Sequence, residues 1–208
     1  MTTADAPPAP RSNIPRADRP QAARVLAEAF TDDPVWNELK PRRPRRAAAA
    51  LYWVFRAEVA IAAAALGGYL QATYDADGRV TAVVIAYVRD RPGFPWWTAF
   101  FRIPAMLLLG ISRTVQAARM ATAAESHQPH EPHVYAYYGG SRTLGGGATL
   151  IKRVMRMAAA QSLPVYGEAK SEEMLEILRI LRWQIEPPID IGYGRSLTPA
   201  RWQSEGAR

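Results

Sequence analysis

Apolar positions recur at helical spacing in PQAARVLAEAF, where Ala23, Val25, Leu26 and Phe30 share one face of a helix predicted over residues 20–30. Thr31, Asp32, Asp33 and Pro34 break it. Residues 46–66 are apolar on nearly every side and predict a second, mostly buried helix, stopped at Gly67 and Gly68. Residues 69–74 and 79–88 read as strands joined through Asp75-Ala76-Asp77-Gly78, a hairpin signature. A helical region follows over 97–124, then a strand over 134–138. A glycine-rich loop leads into a helix reaching about residue 161. A strand over 163–169, a helix over 172–181 and two further strands beyond Trp183 complete the chain. With a short strand over 13–16, the order is β-α-α-β-β-α-β-α-β-α-β-β, an α/β (α+β) class without internal repeats.

Composition narrows the reading. At 208 residues the chain holds one sizeable domain, placed here at 14–202. Residues 1–13, rich in proline and alanine, lack the apolar core of a signal peptide and read as a disordered tail; 203–208 read as a short C-terminal one. A cytoplasmic protein is expected. The absence of cysteine excludes disulfides, thiolate zinc sites and thiol nucleophiles.

The net charge of +7 invites a polyanionic partner. However, lysine occurs only at 40, 152 and 170, and the one dense cluster, Arg42, Arg43, Arg45 and Arg46, is interrupted by Pro44. No aromatic residues interleave it, so no nucleic-acid partner is expected. Residues 47–66 carry Arg56 and Glu58, and 98–111 are too short to span a bilayer and are broken by Arg102 and Pro104. No membrane partner is expected on that basis. The run of Trp96, Trp97, Phe100, Phe101 and Leu107 to Leu109 packs a core, covers a cleft or forms a subunit interface, which leaves a homodimer open.

Two stretches carry candidate chemistry. His127, His130 and His133 fall within HQPHEPH, but two prolines preclude the helical i, i+4 presentation of paired ligands. The stretch reads as a structured approach to the next strand, and no metal is expected. The second stretch is SRTLGGGATLIKRVM, where Gly145, Gly146 and Gly147 directly precede an amphipathic helix. Such a loop is either a flexible turn or a phosphate site, because unpaired N–H groups and the macrodipole converge at a helix N-terminus.

Arg142-Thr143-Leu144-Gly145-Gly146-Gly147 resembles the Q/R-x-x-G-x-G/A acyl-CoA pyrophosphate motif of the GCN5-related N-acetyltransferases (GNAT superfamily). HEPHVY (130–135), AFTDDPVW (29–36), the hairpin strand over 77–88 and Tyr166-Gly167-Glu168-Ala169 resemble segments of its puromycin N-acetyltransferase-like branch. The resemblance covers roughly residues 14–202. It implies a single domain with a mixed, splayed central sheet flanked by helices, and transfer of an acetyl group from acetyl-CoA to a small-molecule amine. It also implies that Ser141, Arg142, Thr143, Leu144, Gly145, Gly146, Gly147 and Ala148 hold the cofactor, with its pyrophosphate on the N–H groups of about Thr143 to Ala148.

The sequence departs from the family in one functional helix. Leu178 stands where the family carries a tyrosine that protonates the leaving thiolate, Met174 replaces an asparagine, and Arg182-Trp183 replaces Gly-Phe. The candidate acids are then Tyr135 and Tyr138 in the strand over 134–138, where alternation puts Tyr135 and Tyr137 on one face and Tyr138 on the other. Glu168 is the candidate base, with Asp32, Asp33 and Glu131 as substrate contacts. Alternatives are a GNAT-fold protein that binds acyl-CoA without catalysis, and a basic protein bound to nucleic acid or an anionic membrane, a reading resting on charge alone.

Overall fold

The computed structural model describes residues 12–90, 94–143 and 145–203. Seven helices and seven strands are described, in the order α1 (Arg19–Ala29), α2 (Pro34–Leu39), α3 (Pro44–Ala64), β1 (Gly68–Tyr74), β2 (Val80–Arg89), α4 (Thr98–Leu109), α5 (Ile111–Glu125), β3 (His133–Ser141), α6 (Gly146–Ala159), β4 (Val165–Ala169), α7 (Glu172–Ile180), β5 (Gln184–Ile185), β6 (Ile189–Gly192) and β7 (Arg195–Trp202). The strands form one sheet in the order β1-β2-β3-β4-β7-β5, with β6 also on β7. Every pairing is antiparallel except that of β3 with β4.

Each face of the sheet is covered because each carries its own apolar set. Leu70, Val83, Ile85 and Tyr87 pack with Leu26 of α1 and Phe55, Val59 and Ile61 of α3. On the opposite face, Val84, Val134 and Val165 meet Leu150, Val154 and Met157 of α6 and Leu178 of α7. Burying each of these larger side chains contributes about 1.5–3 kcal/mol.

Several predicted boundaries move, each for a local reason. The strand over 13–16 reduces to one bridge, Ser12 to Leu70. Asn13, read as tail, instead exchanges side-chain hydrogen bonds with the backbone of Ala72 at 2.8 and 3.0 Å. Residues 1–11 and 204–208 of the expected tails lie outside the described residues. The break at 31–34 starts a helix: Asp33 Oδ1 accepts from the amides of Val35 and Trp36 at 2.9 and 3.0 Å, with Pro34 in the first turn. The helical region over 97–124 divides at Gly110, whose φ of +84° only glycine adopts without strain. The strand over 134–138 extends from His133 to Ser141, because β2 pairs with it that far. Three strands rather than two follow Trp183.

α3 is long and apolar enough to cross a membrane by length and composition, but it is the core helix, with Ala50, Leu51, Phe55 and Val59 buried.

Candidate active site

β3 and β4 are paired only at Val134↔Val165, Tyr135↔Tyr166 and Ala136↔Gly167. Beyond Ala136, β3 continues to Ser141 without a β4 partner, so the two strands part. A cavity of about 760 Å³ occupies this opening. It touches Tyr138, Phe30 and Glu168 on the α1–α3 face, and Ile151, Met174 and Leu178 on the α6–α7 face. One space therefore passes through the sheet where the strands diverge.

The bulge in β3 shapes the first side. Ile85 pairs with Tyr138 and Ala86 with Ala136, which leaves Tyr137 as the extra residue. Simple alternation predicts Tyr138 on the opposite face from Tyr137. The inserted residue cancels that alternation, and both rings pack on the α1–α3 face with centroids 4.2 Å apart. Tyr135 lies 5.2 Å from Tyr137, and Tyr138 meets Phe30 and Phe55 edge-on. Burial raises the pKa of Tyr135, Tyr137 and Tyr138, reinforced by Glu168 for the first and Glu58 for the other two, so all three keep their protons at neutral pH.

Glu168 ends this cluster. Tyr135 donates its hydroxyl to Glu168 Oε2 at 2.7 Å, whereas Oε1 is buried and has no hydrogen-bond partner. Burial pushes the carboxyl up to about 6, against the hydroxyls of Tyr135 and Tyr166 and the positive charges of Lys170 and Arg89. A carboxylate with that pKa is suited to take a proton near neutral pH.

Two further carboxylates line the same cavity and are already neutralised. Asp33 caps α2 through Oδ1 and faces Lys170 Nζ through Oδ2 at 3.5 Å. Glu58 accepts from Arg102 Nε and Nη2 at 2.8 and 3.2 Å. Asp33 is therefore a structural anchor with little capacity left for a substrate. Asp32 lines the mouth and is exposed. Glu131, the third expected substrate contact, does not line the cavity: it is exposed and faces Arg201 at 3.4 Å, because the bend before β3 turns it outward. Lys170 was not singled out in the sequence. It lines the cavity with its ammonium 5.1 Å from the Phe30 ring, and burial lowers its pKa, opposed by Asp33 and Glu168.

The glycine segment lies beyond the α6 end of the cavity. None of the described residues among 141–148 lines the cavity itself; Ile151, one turn after Gly147 on the same helix face, does. Gly145 takes the left-handed conformation, φ +78°, as N-cap of α6, so the helix begins inside the triplet rather than after it. A Cβ on Gly146 would stand 2.5 Å from Ser141 Oγ and 2.8 Å from Thr143 Oγ1, whereas one on Gly147 would meet nothing within 4 Å.

The expected N–H cradle narrows accordingly. The amide of Arg142 bonds Thr81 O, that of Thr143 bonds Ser141 Oγ and that of Gly146 bonds Thr143 O. Gly147 and Ala148 precede the first intrahelical bond, Thr149 N to Gly145 O, and a side chain at Gly147 would face open space. The Arg142 guanidinium is held by both oxygens of Glu28, at 2.6 and 2.7 Å. Leu144 lies outside the described residues. Open space over first-turn amides, one helical turn from the cavity, fits the diphosphate of acyl-CoA.

Among the histidines, His127 and His133 each direct Nδ1 to a backbone carbonyl at 2.9 Å, as a structured approach to β3 requires.

No protein-family model matches the chain, nor does any curated protein sequence. Solved structures do match. One described as a histone acetyltransferase HPA2 and related acetyltransferase, from Corynebacterium glutamicum, is 23% identical, with a TM-score of 0.66 over 90% of this chain and 92% of that one. The polyamine N-acetyltransferase of Drosophila melanogaster is 13% identical, with a TM-score of 0.53 over 90% and 96%. An N-acetyltransferase from Staphylococcus aureus is 10% identical, with a TM-score of 0.54 over 89% and 96%. At these identities the likeness is one of fold: the mixed sheet flanked by helices, parted between its two parallel strands, is the GNAT fold.

Proposed function

We propose that the protein is an N-acetyltransferase that moves an acetyl group from acetyl-CoA to the amine of a small molecule. The observation that carries this reading is the single cavity through the sheet, with a raised-pKa carboxylate on one side and the open N-terminus of α6 beyond the other. Two reactants entering from opposite faces would meet between β3 and β4, and such positioning is a large part of the rate of a bimolecular transfer. The neighbours' descriptions, which include polyamine, agmatine and arylalkylamine N-acetyltransferases, agree with a small amine as acceptor. The finer likeness to the puromycin branch, and the cytoplasmic location, rest on the sequence.

Acetyl-CoA would supply the activated acetyl thioester. Gly147 and Ala148 would hold its diphosphate through their amides, and Ile151, Met174 and Leu178 would line the path of its arm. Glu168 Oε1 would take a proton from the ammonium form of the acceptor, directly or through one water, so that the nitrogen lone pair can attack. Leu178 has no proton to give, and the thiolate proton would come from a tyrosine hydroxyl of the 135–138 cluster or from water.

Calorimetry against acetyl-CoA, followed by thiol release over an amine library, tests the proposal. Binding with amine-dependent thiol release is the expected result. Absence of acetyl-CoA binding overturns it. The second reading, an acyl-CoA-binding protein without turnover, is favoured by Leu178; binding without thiol release for any amine would establish it.

A further inference from the structure

α4 is apolar apart from Thr98 and Arg102, and yet stands half outside the protein. Of TAFFRIPAMLLL, only Thr98, Ala105 and Leu109 are buried. Its inner side, including Arg102, Ala105 and Met106, lines the cavity. Phe100, Ile103 and Leu107 repeat at helical spacing on its outer side, flanked by Trp96 and by Ile111 at the start of α5. Trp96 is 78% exposed, Phe100 62%, Leu107 74% and Ile111 87%. Such a stripe is larger than the scattered apolar residues of an ordinary surface and marks an interaction face.

The segments that carry this stripe and pack beside it bear charge of one sign along the sequence. Residues 39–57 and 94–124 contain nine lysines and arginines and no aspartate or glutamate, more positive charge than the whole chain carries net. One of the nine, Arg102, turns inward to Glu58. The α3 cluster is brought against the end of α4, where Arg46 donates to the carbonyls of Leu108 and Leu107 at 2.9 and 3.3 Å. Beside α4 a groove of about 590 Å³ is lined by Arg16, Arg19 and Arg56 together with Trp53, Phe100 and Phe101. Among the described residues no carboxylate lines that groove.

We infer that this face docks on the surface of an anionic lipid bilayer. The stripe enters the interface between headgroups and acyl chains, and the arginines around it meet lipid phosphates. A helix with aromatic and aliphatic residues on one side and flanking arginines has this chemistry. α4 spans about 18 Å, too little to cross a bilayer, so it lies in the interface plane. A second copy of the chain would bring the same arginines against each other. A nucleic acid offers nothing to Ile103, Leu107 and Ile111. Charge had suggested a polyanion already in the sequence; the apolar stripe within that charge selects lipid. The inference does not depend on the acetyltransfer reading.

Flotation of the full chain with vesicles tests it. Binding is expected to phosphatidylcholine vesicles carrying about 30 mol% phosphatidylglycerol, at least about tenfold tighter than to phosphatidylcholine alone. It should weaken at about 0.5 M salt. Phe100→Ser with Leu107→Ser should reduce binding about tenfold while circular dichroism melting stays unchanged, since both side chains are exposed. Arg42→Glu with Arg45→Glu should also weaken it and flatten the salt dependence. A wild-type chain that stays with the solution overturns the inference, as does binding untouched by the Phe100/Leu107 substitutions. A dimer in light scattering that these substitutions dissolve, without vesicle binding, would assign the face to self-association. Retention on duplex DNA without vesicle binding would assign it to nucleic acid.

Discussion

At the scale of single residues, Glu168 links stability to chemistry. Its folded pKa of about 6 lies above the ordinary carboxyl value of 4.5 given by the unfolded chain. Below pH 4.5 both states are protonated and the group costs nothing. As pH rises through 6, the folded state must ionise a buried carboxyl, and stability falls by about 2 kcal/mol relative to an unperturbed group. Glu168→Gln should therefore be up to about 2 kcal/mol more stable than wild type in urea melts at pH 7–8, with no gain at pH 4. The same substitution should lower kcat/KM roughly 10²-fold if Glu168 is the base. An enzyme as active as wild type would leave Glu168 without that role. In wild type, kcat/KM should fall below an acid limb near pH 6, as the carboxylate is lost. Tyr135→Phe removes the hydroxyl donated to Oε2 and should move that limb to higher pH; an unmoved limb would dissociate it from Glu168.

At the scale of elements, the start of α6 separates two kinds of glycine. Gly146 is packed against Ser141 and Thr143 and serves the turn, whereas Gly147 faces open space. Gly147→Val should leave the melting temperature within a few degrees of wild type and weaken acetyl-CoA binding about tenfold or more in calorimetry, because the side chain covers the first-turn amides. Unchanged affinity would move the diphosphate elsewhere. The link between α2 and the end of β4 is the Asp33–Lys170 pair. Asp33→Ala removes both the cap of α2 and the lysine's partner, and should lower stability by about 3 kcal/mol in urea melts. A loss under about 1 kcal/mol would mean that Lys170 relaxes into water.

At the scale of the whole molecule, the sheet holds its two apolar layers apart everywhere except between β3 and β4. A ligand filling that gap joins the halves, and at about 100 times its Kd it adds about 2.7 kcal/mol to stability. For a domain of this size, saturating acetyl-CoA should raise the melting temperature by roughly 5–10 °C. Coenzyme A that produces no shift in scanning fluorimetry would argue against the cavity as the cofactor path.

The helices and strands were largely legible in the chain because each depends on local periodicity and on local stop signals, such as Gly67-Gly68 and the Asp75–Gly78 turn. The glycine-led helix was legible for the same reason, and Glu168 followed from its place in a recognisable segment. Other features depended on contacts distant in sequence. Asp33 reads as a break residue or a substrate contact; that it caps α2 and faces Lys170 depended on the placement of those two elements. The face of Tyr138 followed from a bulge that exists only when β2 and β3 pair, since alternation counts residues and cannot show an insertion against a partner strand. Glu131 sits two residues from a strand that lines the site, yet the bend before β3 turns it outward. The apolar run over 96–111 has one composition whether buried or exposed. Local sequence determined that it forms helices; only packing decided that one side of α4 walls the cavity and the other meets solvent.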